Sequence, residues 1–451
     1  MSHLPTHLPQ VDALFADWDK PDSPGAALVI IHEGQIVYRR GYGSANLEYG
    51  IPISPATVFH VASVSKQFTA AAIALLAERG SLSLDDTVQT HLPEVPDFGH
   101  PITIRHLIHH TSGLRDQWEI LRLAGWRMDD VITQKQIMQI ACRQRDLNFP
   151  PGSEYLYCNT GYTFLAEIVA RVSGRSFRQF TQEQIFQPLG MRSTHFHDDH
   201  EEIVPHRAYS YKPDGKGGFK HSVLNYANVG ATSLFTTADD LARWLLNFEL
   251  PVVGTPALIQ QLHQRFTLTS GETIPYAFGL NHTQYRGVPC VGHSGWDAGF
   301  KSFAGRFPEQ RLGVVLLTNL VTFNPYDLAG KVAVAYLGDQ VAWGPEEPPA
   351  PPAATPPTAW LELSADQLRP FAGSYYSEEL DISYQITPEA GALLVTGRRR
   401  EDLRFVPVEG ETFREKENGM LSLTFVREGG QVTGMQVDGG RVRHLRFARV
   451  Q

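Results

Sequence analysis

The sequence predicts an α+β fold: an antiparallel sheet flanked by helices, a mostly helical lobe inserted between its strands, and a small all-β barrel after them. Strand patterns at 26–31 and 35–38 flank a Glu-Gly dipeptide, which is a hairpin signal. A second strand pair is predicted at 301–307 and 312–318. When the first and last strands of a domain pair in one antiparallel sheet, the helices between them cover that sheet, and this is the α+β layout.

Helices are predicted where apolar residues recur with a helical period between a capping residue and a glycine. Gly80 and Gly174 mark two C-terminal ends, and Thr103 marks an N-terminal end. The predicted helices, in chain order, span 11–18, 63–79, 103–109, 161–172, 177–185 and 237–248.

A change of composition near residue 343 predicts a domain boundary. Residues 343–360 are rich in proline, which favours an extended, semi-rigid linker. Beyond them, residues 361–451 form short alternating runs separated by glycine pairs, a pattern typical of a β-barrel or sandwich. We therefore expect a domain at 1–342, a linker at 343–360 and a barrel of about eight strands at 361–451.

Composition narrows the classes of function. The chain has 451 residues, 42% of them hydrophobic, and a net charge of −9 without a basic block, which argues against nucleic acid as a partner. No apolar run reaches the ~18–20 residues of a membrane span, so no membrane association is expected. The three cysteines, Cys142, Cys158 and Cys290, are far apart and odd in number, so they predict neither a disulfide framework nor a metal cluster. The N-terminus lacks a charged segment followed by an apolar one, and together these features predict a cytoplasmic protein.

The stretch around Ser63 carries the first candidate chemistry. Ser63 and Lys66 open the helix predicted at 63–79, where positions i and i+3 lie on one face, about 5–6 Å apart between Cβ atoms. A serine needs a nearby base to become a nucleophile, and a lysine on a desolvated helix face loses its proton readily. The same pattern also fits a helix start with a serine cap and a solvated lysine, so on its own it leaves both interpretations open.

Two distant motifs supply partners for this chemistry. Tyr157 and Asn159 form the first: a phenol acts as a base or proton shuttle where cations stabilise its phenolate, and an asparagine can orient a lysine and a substrate carbonyl. His293, Gly295 and Trp296 form the second, just before the strand pair at 301–318, where a glycine lets a backbone approach closely. Together they favour the interpretation of Ser63 as a nucleophile.

These motifs resemble those of the serine β-lactamase and penicillin-binding-protein superfamily, in the branch of class C β-lactamases, DD-peptidases, family VIII-type carboxylesterases and D-aminopeptidases. The motifs are Ser63-x-x-Lys66, Tyr157-x-Asn159, and His293-Ser294-Gly295 at the position of Lys-Thr-Gly. Secondary hallmarks occur at 110–114, 188–191, 234–242 and 276–279, so the likeness covers about residues 20–340. The segment 371–375 is similar to the lipocalin-like barrel appended to some members.

The resemblance implies an acyl-enzyme mechanism that needs no metal and no organic cofactor. Ser63 attacks a carbonyl, with Lys66 and Tyr157 as a coupled acid–base pair in which the identity of the base stays open. The backbone N–H groups of Ser63 and Trp296 form the oxyanion hole. Asn159 holds Lys66 and the substrate amide, and water then deacylates the enzyme.

His293 departs from the family pattern, which has a lysine there to hold the substrate carboxylate. A histidine with a reference pKa of about 6.5 is mostly neutral at pH 7, and Trp296 adds a bulky wall that favours a small or apolar acyl group. We therefore expect a serine hydrolase that acts on a small amide, peptide or ester substrate, of D-aminopeptidase, peptidase or carboxylesterase type. The alternatives are a β-lactamase or DD-peptidase, and a catalytically silent ligand-sensing protein. The barrel is expected either to cap the pocket or to build a homo-oligomer.

Two histidine clusters contain the residue types of metal sites. His195, His197 and His200 lie in a polar stretch, for which a solvated surface loop is favoured over a metal site. The histidines of 106–110 are interpreted as packing and turn residues rather than as ligands. The sequence therefore predicts no metal.

Overall fold

The structure, a computed structural model, describes residues 8–346, 360–397 and 401–450. Before the barrel the strands are β1 (Ala26–His32), β2 (Gln35–Tyr42), β3 (Ser44–Asn46), β4 (Ile51–Pro52), β5 (Phe59–His60), β6 (Ile132–Thr133), β7 (His195–Phe196), β8 (Tyr211–Pro213), β9 (Phe219–His221), β10 (Tyr226–Ala227), β11 (Leu234–Thr236), β12 (Asn281–Tyr285), β13 (Val288–Asp297), β14 (Phe300–Phe307) and β15 (Leu312–Thr318). The α-helices are α1 (Pro9–Asp12), α2 (Ser65–Glu78), α3 (Val88–His91), α4 (Ile104–Ile108), α5 (Gln117–Leu123), α6 (Gln134–Ala141), α7 (Asn159–Ser173), α8 (Phe177–Thr181), α9 (Ala238–Leu246), α10 (Pro256–Leu262), α11 (Pro325–Leu337) and α12 (Ala365–Leu368).

A six-stranded antiparallel sheet in the order β12-β13-β14-β15-β1-β2 lies at the centre of the fold. Its first and last strands in the chain pair directly, from Ala26 opposite Thr318 to His32 opposite Leu312. Alternate residues of β1 enter two apolar cores, one shared with α2 and α9 and the other with α11. A strand that is covered on both faces is apolar throughout, because neither face meets water. The predicted α+β layout is confirmed.

The first hairpin turn is the one that its sequence predicts. Glu33 and Gly34 between β1 and β2 have φ values of 51° and 76°. Two consecutive residues with positive φ match the twist of the flanking strands, which is why a residue pair ending in glycine suits this turn.

Local capping signals position the helices near the site. The helix predicted at 63–79 is α2, preceded by a 3-10 turn at Ala62–Val64 and followed by Gly80 with a φ of 69°. Thr103 caps α4 as predicted, and α7 ends at Gly174 in the left-handed conformation.

Some predicted elements differ in the structure. The helix predicted at 11–18 is the short α1 and a 3-10 turn at Ala13–Phe15. The helix predicted at 177–185 is α8 followed by a π turn at Gln182–Phe186, in which the consecutive residues Ile185 and Phe186 are both buried. Neither β13 nor α11 was predicted, although α11 has an asparagine cap and a proline at its first turn as start signals.

An eight-stranded closed barrel follows, which confirms the predicted all-β architecture. Its strands are β16 (Gly373–Ser377), β17 (Ile382–Glu389), β18 (Ala392–Gly397), β19 (Leu403–Glu409), β20 (Thr412–Glu415), β21 (Leu421–Glu428), β22 (Gln431–Gly439) and β23 (Val442–Val450). Pairing of β16 with β23 closes the barrel. The domain boundaries stay a prediction, and residues 347–359 of the predicted linker lie outside the described residues.

The barrel packs against the helical lobe next to the predicted site. The buried guanidinium of Arg115 is 2.5 Å from Glu379 of the barrel, and it donates to the Arg443 carbonyl at 3.0 Å. The hydroxyl of Tyr384 donates to the carbonyl of Leu123 at the end of α5. Among the described residues, no helix combines the length and apolarity that crossing a bilayer requires.

Candidate active site

Ser63 lies in the 3-10 turn that joins β5 to α2. The preceding Ala62 has a φ of 48°, an uncommon conformation for a residue with a side chain. Ser65 Oγ donates to the Ala62 carbonyl at 2.5 Å, and Ser302 Oγ donates to the Val61 carbonyl at 2.7 Å. These bonds from α2 and β14 fix the turn that presents the Ser63 hydroxyl.

Lys66 lies one helical turn beyond Ser63, and all three of its N–H bonds are used. Its Nζ donates to Ser63 Oγ at 3.0 Å, to Asn159 Oδ1 at 2.8 Å and to the Ala231 carbonyl at 2.7 Å. Complete burial lowers the pKa of Lys66 to about 7; the nearby Asp116 carboxylate opposes this shift, and Arg441 adds to it. At neutral pH, much of this lysine is therefore the free amine, which can accept a proton.

Asn159 is held in one orientation by a buried carboxylate. Its Nδ2 and its backbone N–H both donate to Asp116 Oδ2, at 2.8 and 2.7 Å. Because a carboxylate only accepts, the amide oxygen of Asn159 must face Lys66. Asp116 in turn is 3.1 Å from the guanidinium of Arg441, in the turn between β22 and β23.

Tyr157 covers the lysine with its ring. Lys66 Nζ lies 4.9 Å from the ring centroid, and among the described residues the buried Tyr157 hydroxyl has no hydrogen-bond partner. Burial raises the pKa of Tyr157 well above its ordinary value, although the neighbouring Ser63 hydroxyl lowers it somewhat. The phenol therefore keeps its proton at neutral pH.

Strand β13 brings the third motif against the Ser63 turn. A Cβ atom on Gly295 would lie 2.3 Å from the Val61 carbonyl oxygen, so only glycine permits this approach. Strand β12 pairs with β13 only as far as Gly292, which leaves the edge of residues 293–297 without a partner from β12. The Trp296 side chain is 67% exposed, with Lys301 Nζ 3.5 Å from the centroid of its ring.

His293 is buried and neutral. Its Nδ1 lies 2.5 Å from the Ser294 carbonyl oxygen, so this nitrogen carries the proton. Its Nε2 therefore accepts the hydroxyl proton of Tyr276 at 3.0 Å. Burial, and to a smaller extent Lys66, lower the pKa of His293 to about 3. This residue supplies no fixed positive charge.

The predicted residues meet in one cleft of about 950 Å³. Ser63, Tyr157, Asn159, His293, Gly295 and Trp296 line it, and Lys66 lies beneath the serine. Its walls also include Trp118, Arg122, Tyr226, Thr232, Asp297 and Arg441. The structure thus brings together all seven residues that the sequence singles out.

A family model described as Beta-lactamase matches residues 11–339. The chain belongs to the beta-lactamase family. Among curated relatives, a D-aminopeptidase of Gluconobacter oxydans is 29% identical over 368 residues, which are 82% of this chain and 66% of that protein. A D-aminopeptidase of Brucella canis is 28% identical over 320 residues, 70% of this chain and 60% of that protein. The chain thus spans less than two thirds of the length of these relatives.

Solved structures share the fold of this beta-lactamase family member. An octameric penicillin-binding protein homologue from Pyrococcus abyssi superposes with a TM-score of 0.64 at 24% identity, covering 98% of this chain and 99% of that chain. A D-amino acid amidase from Ochrobactrum anthropi gives a TM-score of 0.62 at 22% identity over 74% of this chain and 99% of that chain. The first comparison extends over the barrel as well as the family domain.

Three charged residues in the cleft or buried beneath it were not predicted from the sequence of this family member. Asp116 caps α5 and orients Asn159, Arg441 comes from the barrel, and Asp297 ends β13. Neither α5 nor its capping aspartate was predicted; an aspartate before a helical segment is a local capping signal, but the contact of Asp116 with Asn159 depends on residues distant in the chain. The sequence around Arg441 contains no motif that indicates its contact with Asp116.

The interpretation of 195–200 as a solvated loop is wrong for two of its histidines. His197 is buried and His195 stacks on Phe235, while His200 is exposed. Ring nitrogens of His195 and His197 and an oxygen of Glu202 lie within 4.8 Å of one another. Both oxygens of Glu202 already accept hydrogen bonds from Arg178, at 2.6 and 2.7 Å. The guanidinium therefore neutralises this carboxylate, and we assign no metal to the cluster.

Proposed function

We propose that the protein is a serine hydrolase in which Ser63 forms an acyl-enzyme with a small amide, peptide or ester substrate. The observation that carries the proposal is the hydrogen-bond chain from Ser63 through Lys66 to Asn159, with links of 3.0 and 2.8 Å. A buried lysine with a pKa of about 7, in contact with a serine hydroxyl, is a base matched to neutral pH.

The reaction proceeds in two halves. The free amine of Lys66 takes the Ser63 proton as Oγ bonds to the substrate carbonyl carbon, and it returns that proton to the leaving nitrogen or oxygen as the old bond breaks. Water then attacks the acyl-enzyme, giving a proton to Lys66, and Ser63 leaves with that proton. We assign the base to Lys66 because burial holds the pKa of Tyr157 well above neutrality, which makes Tyr157 a neutral phenol beside the serine.

The backbone N–H groups of Ser63 and Trp296 are the proposed oxyanion hole. The approach of β13 to the Ser63 turn at Gly295 supports this assignment, because it sets the two backbones side by side. Loss of one such donor typically costs about 10²–10³ in rate.

Amide or peptide hydrolysis of the D-aminopeptidase type is the favoured substrate class. The named activity of the curated relatives supports it, and so does the neutrality of His293, which cannot hold an anionic substrate carboxylate as a lysine does. The alternative of a β-lactamase or DD-peptidase is favoured by the structural likeness to penicillin-binding proteins.

Active-site labelling tests the proposal. A fluorescent phosphonate is expected to label the wild type and not Ser63→Ala, while Ser222→Ala, on the rim of the same cleft, is labelled as the wild type is. A panel of p-nitrophenyl esters, D- and L-amino-acid p-nitroanilides and a chromogenic cephalosporin then ranks the substrate classes. An unlabelled wild type that hydrolyses none of these compounds contradicts the proposal and supports a silent ligand sensor.

We also propose that the protein works in a reducing compartment such as the cytoplasm. Cys142, Cys158 and Cys290 are all free thiols, and two of them are buried. Activity that is unchanged by reductant supports this location, and a requirement for oxidant contradicts it.

A further inference from the structure

Asp297 places a carboxylate in the catalytic cleft, close to the reacting serine. It ends β13, two residues beyond Gly295, which touches the Ser63 turn. At about 3.3 Å per residue, its Cα is displaced by roughly 6–7 Å along the strand from that contact. Its side chain is 15% exposed and lines the same cleft as Ser63. A bound substrate can therefore reach it.

The partners of Asp297 are neutral. Thr232 Oγ1 donates to Asp297 Oδ2 at 2.7 Å, and the hydroxyl of Tyr226 acts on it as a second neutral donor. Thr232 follows Ala231, whose carbonyl accepts from Lys66, so the carboxylate is fixed to the backbone that positions the catalytic amine. These contacts orient Asp297 without supplying a positive charge to pair with it.

No lysine or arginine among the described residues forms an ion pair with this carboxylate. Within the described ranges, its one ion-pair contact is His60 Nε2 at 4.0 Å, and burial holds the pKa of His60 well below its ordinary value. Lys66 and Arg122 act on Asp297 only from beyond ion-pair distance. Burying a carboxylate without a cation is unfavourable, and here it raises the pKa of Asp297 to about 7. The other aspartate near the serine, Asp116, is paired with Arg441 at 3.1 Å.

We propose that the Asp297 carboxylate binds the ammonium group of the substrate. The α-amino group of an amino acid amide is two bonds from the carbonyl carbon that Ser63 attacks. A substrate whose carbonyl oxygen lies at the N–H of residue 296 therefore carries its amino group alongside the next residue of the strand. The preferred substrates are then amides and peptides with a free α-amino group. This inference rests on the proposed function and adds the group that selects the substrate.

A pair of substrates that differ only in the amine tests the proposal. The wild type is expected to hydrolyse alanyl p-nitroanilide, in its D or its L form, with a kcat/KM at least about 10²-fold above that of propanoyl p-nitroanilide, because a site built for a polar group discriminates strongly against its absence. Asp297→Asn is expected to lose this preference, so that the ratio of the two kcat/KM values falls towards one. Asp129→Asn is the matched control, since Asp129 lies on the same cleft but is paired with Arg127.

A second measurement compares the binding of the two kinds of compound instead of their hydrolysis rates. Alaninamide is expected to protect Ser63 from the phosphonate label at concentrations about 10²-fold lower than propanamide, and only in proteins that retain Asp297. A wild type without preference for the amine in both measurements overturns the inference, as does an equal loss on both substrates in Asp297→Asn. Absence of any Ser63 labelling is the different outcome in which the proposed function itself fails.

Discussion

At the scale of single residues, burial sets the protonation states of the cleft. Lys66 and His293 both lose basicity because their charged forms are removed from water, so the pKa of Lys66 falls to about 7 and that of His293 to about 3. Tyr157 shifts in the opposite direction for the same reason, since its charged form is the phenolate. The same physical effect brings the pKa of two groups of the cleft, Lys66 and Asp297, to about 7.

The first prediction concerns the pH dependence of catalysis on a substrate without an amine, such as p-nitrophenyl acetate. Below pH 7 the amine of Lys66 is protonated and cannot accept the Ser63 proton, so kcat/KM is expected to rise with pH and to level off above about 7. His293 contributes no step between pH 5 and 8, because its pKa is about 3. Stopped-flow rates corrected with Ser63→Ala check this; a flat profile across pH 7 contradicts Lys66 as the base.

At the scale of secondary structure, the site depends on the close approach of β13 to the 3-10 turn before α2. Gly295 permits this approach, and Ser302 on the adjacent strand β14 binds the same Val61 carbonyl at 2.7 Å. The turn itself contains Ala62 at a positive φ, held by a hydrogen bond from Ser65. The proposed oxyanion hole therefore needs both elements, because one of its N–H donors comes from the turn and the other from the strand.

The second prediction is that Gly295→Ala pushes β13 away from the 3-10 turn that contains Ser63. The new methyl group lies 2.3 Å from a backbone oxygen that cannot rotate away, so the strand must shift. We expect a loss of about 1–3 kcal/mol in the free energy of unfolding, and about a 10²-fold loss in kcat. Gly161→Ala in α7 is the control, since a methyl group added there would lie 3.2 Å from its nearest neighbour, the Leu107 carbonyl oxygen. Denaturant titration and burst kinetics measure both effects; a fully active Gly295→Ala contradicts the assignment.

At the scale of the whole molecule, the barrel completes the environment of Lys66. Arg441 lies in a turn whose Gly440 has a φ of 56°, and its guanidinium is 3.1 Å from Asp116 and 3.2 Å from Glu119. Two carboxylates thus neutralise Arg441, so it supports the Asp116–Asn159–Lys66 chain rather than offering a free charge to the substrate. This placement favours the expectation that the barrel caps the pocket, whereas a homo-oligomer stays a prediction that light scattering can check.

The third prediction is that Arg441→Ala impairs catalysis through Lys66. In the wild type, the positive charge of Arg441 lowers the pKa of Lys66. Without it, the negative charge of Asp116 acts on Lys66 unopposed and raises that pKa. The acid limb of kcat/KM is then expected to move to higher pH, with about a tenfold or larger loss of activity at pH 6. Arg443→Ala, on β23 and paired with Glu154 at 3.0 Å near the surface, is the control. An unshifted limb in Arg441→Ala contradicts this coupling.

Local patterns were sufficient for much of the fold. The Glu33-Gly34 turn, the Thr103 cap and the glycine after α2 each act within a few residues, so the sequence around them predicts them correctly. The π turn after α8 could not be predicted, because packing of two consecutive apolar residues against the core decides it. His197 was misplaced on the surface for the same reason: burial depends on what lies above a residue, and neighbours in sequence do not contain that information.

The spacing of Ser63 and Lys66 along the chain was enough to predict that their side chains meet. They are one helical turn apart, which allows a hydroxyl and an amine to meet, and the structure places Lys66 Nζ 3.0 Å from Ser63 Oγ. The chemical behaviour of these groups depends on the tertiary structure. The pKa of Lys66, the orientation of Asn159 and the uncompensated charge of Asp297 come from burial and from side chains far away in the chain, Arg441 of the barrel among them. Electrostatic energies depend on distance through space and on exclusion of water, and folding alone sets both.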